Sequence, residues 1–131
     1  MSISAYRKTI AAIERPRDME RRILSEINAA LLVHQDHYDS AETRAEKTAI
    51  LAGSLRPALA RNLKLWAALR MDLLSPGNEL PAEMRANLIS LSLFVERQVT
   101  AVMGGRGSVK ALTDINARII AGLSGQVSEA A

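Results

Sequence analysis

Apolar residues recur at steps of three and four along most of the chain, while no β-branched run alternates with polar positions and no Asn-Gly or Asp-Gly hairpin signal occurs. The pattern is helical throughout. Ile3, Tyr6, Ile10 and Ile13 mark one face of a short first helix, expected to end near Arg15 because the residue before Pro16 disfavours helical geometry. Pro16 then suits the first turn of a second helix, where its missing N–H is harmless, and Asp18 and Glu20 complement the helix dipole. Met19, Ile23, Ile27, Leu31, His34 and Tyr38 form its stripe, and Asp36 to Ser40 carries its end and a turn.

A long third segment follows, from about Ala41 to Leu74. Leu51, Leu55, Leu59, Leu63, Trp66, Leu69 and Leu73 keep one stripe through it. The stripe holds its phase across Pro57, so the pattern predicts a single long helix kinked near Pro57. Ser75-Pro76-Gly77-Asn78 is the clearest loop. Pro81 opens a fourth helix in which Met84, Leu88, Leu91, Val95, Val99 and Val102 share a face. Ile89, Leu93 and Phe94 add apolar surface on its other sides, the mark of a central helix or one covered by a partner. Gly104-Gly105-Arg106-Gly107 stops it, and Leu112, Ile115, Ile119 and Leu123 line a last helix from about Val109.

The expected architecture is an all-α bundle of four to five helices. Residues 3–123 form a single domain, followed by a flexible tail at 124–131. A chain of 131 residues, 48% of them hydrophobic, buries roughly two-thirds of its surface on folding, enough for one core. The absence of cysteine excludes disulfides, iron–sulfur clusters, thiolate zinc sites and cysteine nucleophiles. No apolar run approaches the roughly 20 residues of a membrane span, and the N-terminus carries no apolar signal segment, so a cytoplasmic location is expected.

The net charge of +3 lies wholly in residues 1–65, with 11 Lys/Arg and 8 Asp/Glu against 6 of each in the rest. Arg15, Arg17, Arg21 and Arg22 could touch phosphates, but Asp18 and Glu20 interleave with them and no aromatic residue stands beside them. A solvated, salt-bridged face fits better than direct nucleic-acid binding. His34 and His37, three apart with Asp36 and Asp39 nearby, lack the spacing of a zinc-hydrolase helix and read as a core-edge and a solvated histidine. The Gly-Gly-Arg-Gly run has no lysine where a phosphate-binding loop needs one, and reads as a helix stop with a tight turn. No nucleophile elbow or singled-out carboxylate pair appears, so neither an enzyme nor a cofactor is expected.

Several stretches resemble the FlaF family of flagellar biosynthesis regulators from alphaproteobacteria. The matching features are Asn62, Leu65-Trp66, Asn78 with Leu80-Pro81, Arg85, Ile89-Ser90-Leu91, Val95, Val102-Met103, and Leu112 to Leu123 around Asp114, Asn116 and Gly122. Tyr6 and Pro16-Arg17 with Glu20 also fit, so the likeness spans about residues 5–123. Phe94 departs from it, standing where tryptophan is common in the family. The resemblance implies a flagellin-binding, chaperone-type factor that promotes flagellin synthesis and secretion, with FlbT as a second partner. It also leaves room for an RNA-level regulator of flagellin message acting with FlbT. A bundle with an apolar groove could cover an amphipathic terminal segment of flagellin. Trp66 is a candidate anchor, although a lone tryptophan more often fills a core. Tyr6, Phe94 and Arg97 are the other candidate partner-binding residues, Arg97 orienting the ligand while the aromatics supply affinity.

Overall fold

A computed structural model describes the backbone of residues 3–129 and the side chains of residues 19–122. Five α-helices follow one another, and there is no strand among the described residues: α1 (Ile3–Ser40), α2 (Arg44–Ile50), α3 (Arg56–Leu74), α4 (Ala82–Met103) and α5 (Val109–Glu129). A wide π-type turn, Leu51–Leu55, joins α2 to α3. The all-α bundle is as the apolar periodicity requires.

Two expected breaks are placed differently. The chain is helical without interruption from Ile3 to Ser40, so the predicted stop at Arg15 does not occur. Proline removes one rung of the hydrogen-bond ladder, and the alanine, glutamate and arginine residues around Pro16 are strong helix formers that carry the helix past it. The long third segment does bend, but the bend lies four residues before Pro57. Pro57 sits in the first turn of α3, where no N–H is needed. The departure from helical geometry falls at Gly53, with φ −82° and ψ −142°. Nothing lies within 4 Å of the position a Gly53 Cβ would take, so packing does not demand glycine there. Glycine's poor helix propensity makes it the cheapest point at which to leave the helix.

Local signals set the other ends. Thr43 caps α2 by accepting from the Glu46 N–H at 3.1 Å, as the Thr-x-x-Glu spacing provides. Pro81 precedes α4, and Glu83 lies in its first turn. The α3–α4 loop is pinned by Asn78, whose Oδ1 accepts from the Leu80 N–H at 3.1 Å and whose Nδ2 donates to Asp72 at 3.3 Å. Gly105 and Gly107, at φ 79° and 71°, supply the left-handed residues of the α4–α5 turn. α5 runs past Leu123 to Glu129.

α1 packs along α5, and α3 along α4, with α1 also meeting α3. Ile27, Leu31 and Tyr38 of α1 meet Leu55, Leu59 and Trp66, together with Val95, Val99 and Val102 of α4, in one core. Met19, expected on the buried stripe, is exposed, while Leu24 and Asn28 are buried in its place.

The α1 end of the bundle is clamped to the start of α5. Asp39 accepts from the backbone N–H groups of Val109 at 2.8 Å and Lys110 at 2.9 Å, and from the Ser108 hydroxyl at 3.2 Å. These are the orphan donors of a helix start, capped here by a carboxylate from another helix. Beside it, the buried Tyr38 hydroxyl points at the Val102 carbonyl at 2.6 Å and the Arg106 carbonyl at 3.1 Å. The Lys47 ammonium lies 4.8 Å from the centroid of the Tyr38 ring. Burial, and secondarily the negative charge of Asp39, push the Tyr38 phenol above its ordinary pKa range.

Candidate functional site

Toward the opposite end, α1, α3, α4 and α5 do not close on one another. They leave a groove of about 710 Å³ that also takes in the α3–α4 loop. Its floor comes from α3. Leu65, Leu69 and Leu73, four residues apart, run along it for about 12 Å, the rise of two helical turns. Trp66 sits beside them. Leu24 of α1, Leu80 of the loop, Met84 and Leu88 of α4 and Ile119 of α5 form apolar walls. Met84 is the most solvent-open of these at 44%. At Gly122, nothing approaches within 4 Å of where a Cβ would stand, which keeps that edge open. Among the described residues, Glu20, Asp72 and Glu79 line the groove against Arg118, three carboxylates to one cation.

Beneath the groove lies a buried polar network. The Trp66 indole N–H donates to Asn116 Oδ1 at 2.9 Å. Asn116 Nδ2 donates to Asn62 Oδ1 at 2.8 Å and to Asn28 Oδ1 at 3.3 Å. Three helices are thereby joined through one side chain of α5. Asn62 Nδ2 is buried with no acceptor among the described residues. Reading the apolar stripes alone missed this network, although a signal was present. Asn62 stands four residues from both Ala58 and Trp66, and Asn116 four from Leu112, so each occupies a core position of its helix.

Of the candidate partner-binding residues, Trp66 lies apart from Phe94 and Arg97. Trp66 is 2% exposed, and its indole edge reaches the groove while its N–H is spent on Asn116. Phe94, 40% exposed, and Arg97 lie on the C-terminal half of α4. Arg97 lines a separate concavity of about 640 Å³ with Leu93, Glu96, Thr100, Ala101 and Arg106. Nine residues separate Leu88 in the groove from Arg97, which is half a turn round the helix and about 14 Å along it. The side chain of Tyr6 falls outside the described residues.

His34 Nε2 pairs with the Ser54 hydroxyl at 2.6 Å, and His37 is exposed. No group of three potential metal ligands occurs among the described residues. None of the helices, in the described residues, is long and apolar enough to cross a membrane.

The family described as flagellar protein FlaF matches residues 2–123. No curated protein and no solved structure matches the chain.

Proposed function

The chain belongs to the FlaF family of flagellar proteins, and from that premise we propose that it is a chaperone-type factor which holds flagellin by a terminal amphipathic helix and so promotes its synthesis and secretion. The observation that carries this reading is the groove over Leu65, Leu69 and Leu73. Its leucines repeat at one helical step over two turns, the spacing at which a ligand helix presents i, i+3/i+4 and i+7 anchors. A filament subunit must keep its assembly-competent apolar face covered until export, and then give that cover up. The acidic lining beside an apolar floor serves both needs. It holds the ligand's apolar face without burying the whole helix, and it leaves water and charge at the edge through which the helix leaves.

Calorimetric titration of the full chain with flagellin tests the proposal, using intact flagellin and versions lacking either terminal segment. Saturable binding that disappears with one of those truncations is the expected result. Undiminished binding after both truncations, or no binding by intact flagellin, would overturn it.

A further inference from the structure

We propose that the outward face of α4 is a second docking surface, built to take an acidic amphipathic helix of another protein, and that it works independently of the groove. Leu93 and Phe94 are exposed at 41% and 40%, and Leu93 shares the concavity with Ala101, two turns further along. Exposed apolar surface is thus presented by a helix whose other side, at Val95, Val99 and Val102, is already buried in the core. Two guanidinium groups, Arg97 and Arg106, line the same concavity, Arg97 four residues from both Leu93 and Ala101 and so between them on the helix face. Neither forms an ion pair among the described residues. Glu96, the carboxylate in the same lining among the described residues, is held by Arg70 at 2.7 Å, so its charge is answered from α3. What remains is apolar contact area bordered by unanswered positive charge.

That combination selects the occupant. An apolar stripe with carboxylates along its margin meets both features at once, the leucine and phenylalanine giving contact area and the arginines giving orientation and exclusion of wrong partners. A second copy docked symmetrically would bring like arginines together, which opposes association. A nucleic-acid strand would place phosphates near Glu96 and find a single aromatic ring for stacking.

The test uses the full chain and three fluorescent helix-forming peptides that share one leucine stripe and carry Glu, Gln or Lys at its margins. Anisotropy should show the Glu peptide binding about tenfold more tightly than the Gln peptide, with affinity falling as salt rises. R97E/R106E should weaken the Glu peptide by about tenfold or more and reverse the preference toward the Lys peptide. M84E, in the groove, should leave Glu-peptide binding unchanged, and R97E/R106E should leave flagellin binding unchanged. Thermal unfolding of R97E/R106E confirms that the fold survives. Failure of the Glu peptide to bind, equal binding of the Glu and Gln peptides, or no loss in R97E/R106E would overturn the proposal. So would a uridine-rich RNA oligonucleotide that binds in place of the peptides and is lost in R97E/R106E, or self-association of the chain alone that this variant abolishes.

Discussion

Asn116 accepts the indole N–H of Trp66 across 2.9 Å, and its own amide in turn serves asparagines on α1 and α3. One side chain of α5 therefore satisfies polar groups from two other helices under the groove floor. Asn116→Ala strands the Trp66 donor and removes the donor that serves the Asn62 oxygen, and should cost about 3 kcal/mol. Trp66→Phe strands only the Asn116 oxygen and trims one ring, and should cost about 2 kcal/mol. Urea unfolding followed by helical ellipticity measures both. A loss under about 1 kcal/mol for Asn116→Ala would show that the network is not a structural tie.

Asp39 caps α5 from α1. Asp39→Ala should destabilise the fold by about 2 kcal/mol, because it exposes two helix-start N–H groups and removes a charge-assisted bond. Amide hydrogen exchange should locate the damage, with Val109 and Lys110 losing protection before the middle of α3 does. Uniform loss across all helices would argue that the clamp merely adds to global stability.

Tyr38 predicts an alkaline dependence. Its phenol is held above the ordinary range by burial and by Asp39, so the folded state prefers the neutral form. A raised folded-state pKa gives a contribution that is whole below about pH 10 and is lost as pH rises through the folded-state value. The stability of the parent protein should therefore fall more steeply above pH 10 than that of Tyr38→Phe. At neutral pH the same variant should be less stable by about 1–2 kcal/mol, since the buried hydroxyl's bonds to the Val102 and Arg106 carbonyls are lost, Val102 keeping the Gly105 N–H at 3.0 Å. Parallel alkaline slopes for the two proteins would contradict the assignment.

The two left-handed glycines of the α4–α5 turn should respond unequally to alanine. Both carry the penalty of positive φ for a residue with a Cβ, about 1–2 kcal/mol. At Gly105 the new Cβ would lie 2.9 Å from Arg44 Cγ, the stem of a flexible side chain that can swing aside. At Gly107 it would meet Ala101 Cβ at 3.0 Å as well as the Gln98 amide at 2.9 Å, and Ala101 is fixed by its own helix. Gly107→Ala should lower the melting temperature more than Gly105→Ala.

In the groove, Met84→Glu adds a charge at a wall position that is already 44% exposed. The fold should lose no more than about 0.5 kcal/mol, while flagellin affinity drops about tenfold through lost apolar contact and a further carboxylate in an acidic lining. Unchanged titration heats and affinity would remove Met84 from the binding surface.

Much of this molecule was legible from residue spacing, and the exceptions have physical causes. Pro81 and the Gly104–Gly107 run mark their helix boundaries because proline and glycine act locally. The bend that the long third segment carries falls at Gly53, and Pro57 stands in the first turn of the helix that follows, where its fixed φ fits. Trp66 was visible as a singular residue, but its neighbours Glu79 and Arg118 reach the groove only through the packing of a loop and a distant helix. The Asp39 clamp closes over a separation of 70 residues, which no local pattern encodes. Phe94 and Trp66 read alike as aromatic anchors, yet packing puts one on the rim of α4 and the other in the core.

The same clamp sets an order on biosynthesis. Because the cap for the final helix resides near the end of the first, synthesis must proceed beyond Lys110 before that bond can form. Nascent chains halted in α4 hold Asp39 without its recipients and Tyr38 without the Arg106 carbonyl. Completion of the bundle is therefore a late event, dependent on contacts between distant parts of the polypeptide, and a ribosome-bound fragment remains unlatched until the last helix emerges.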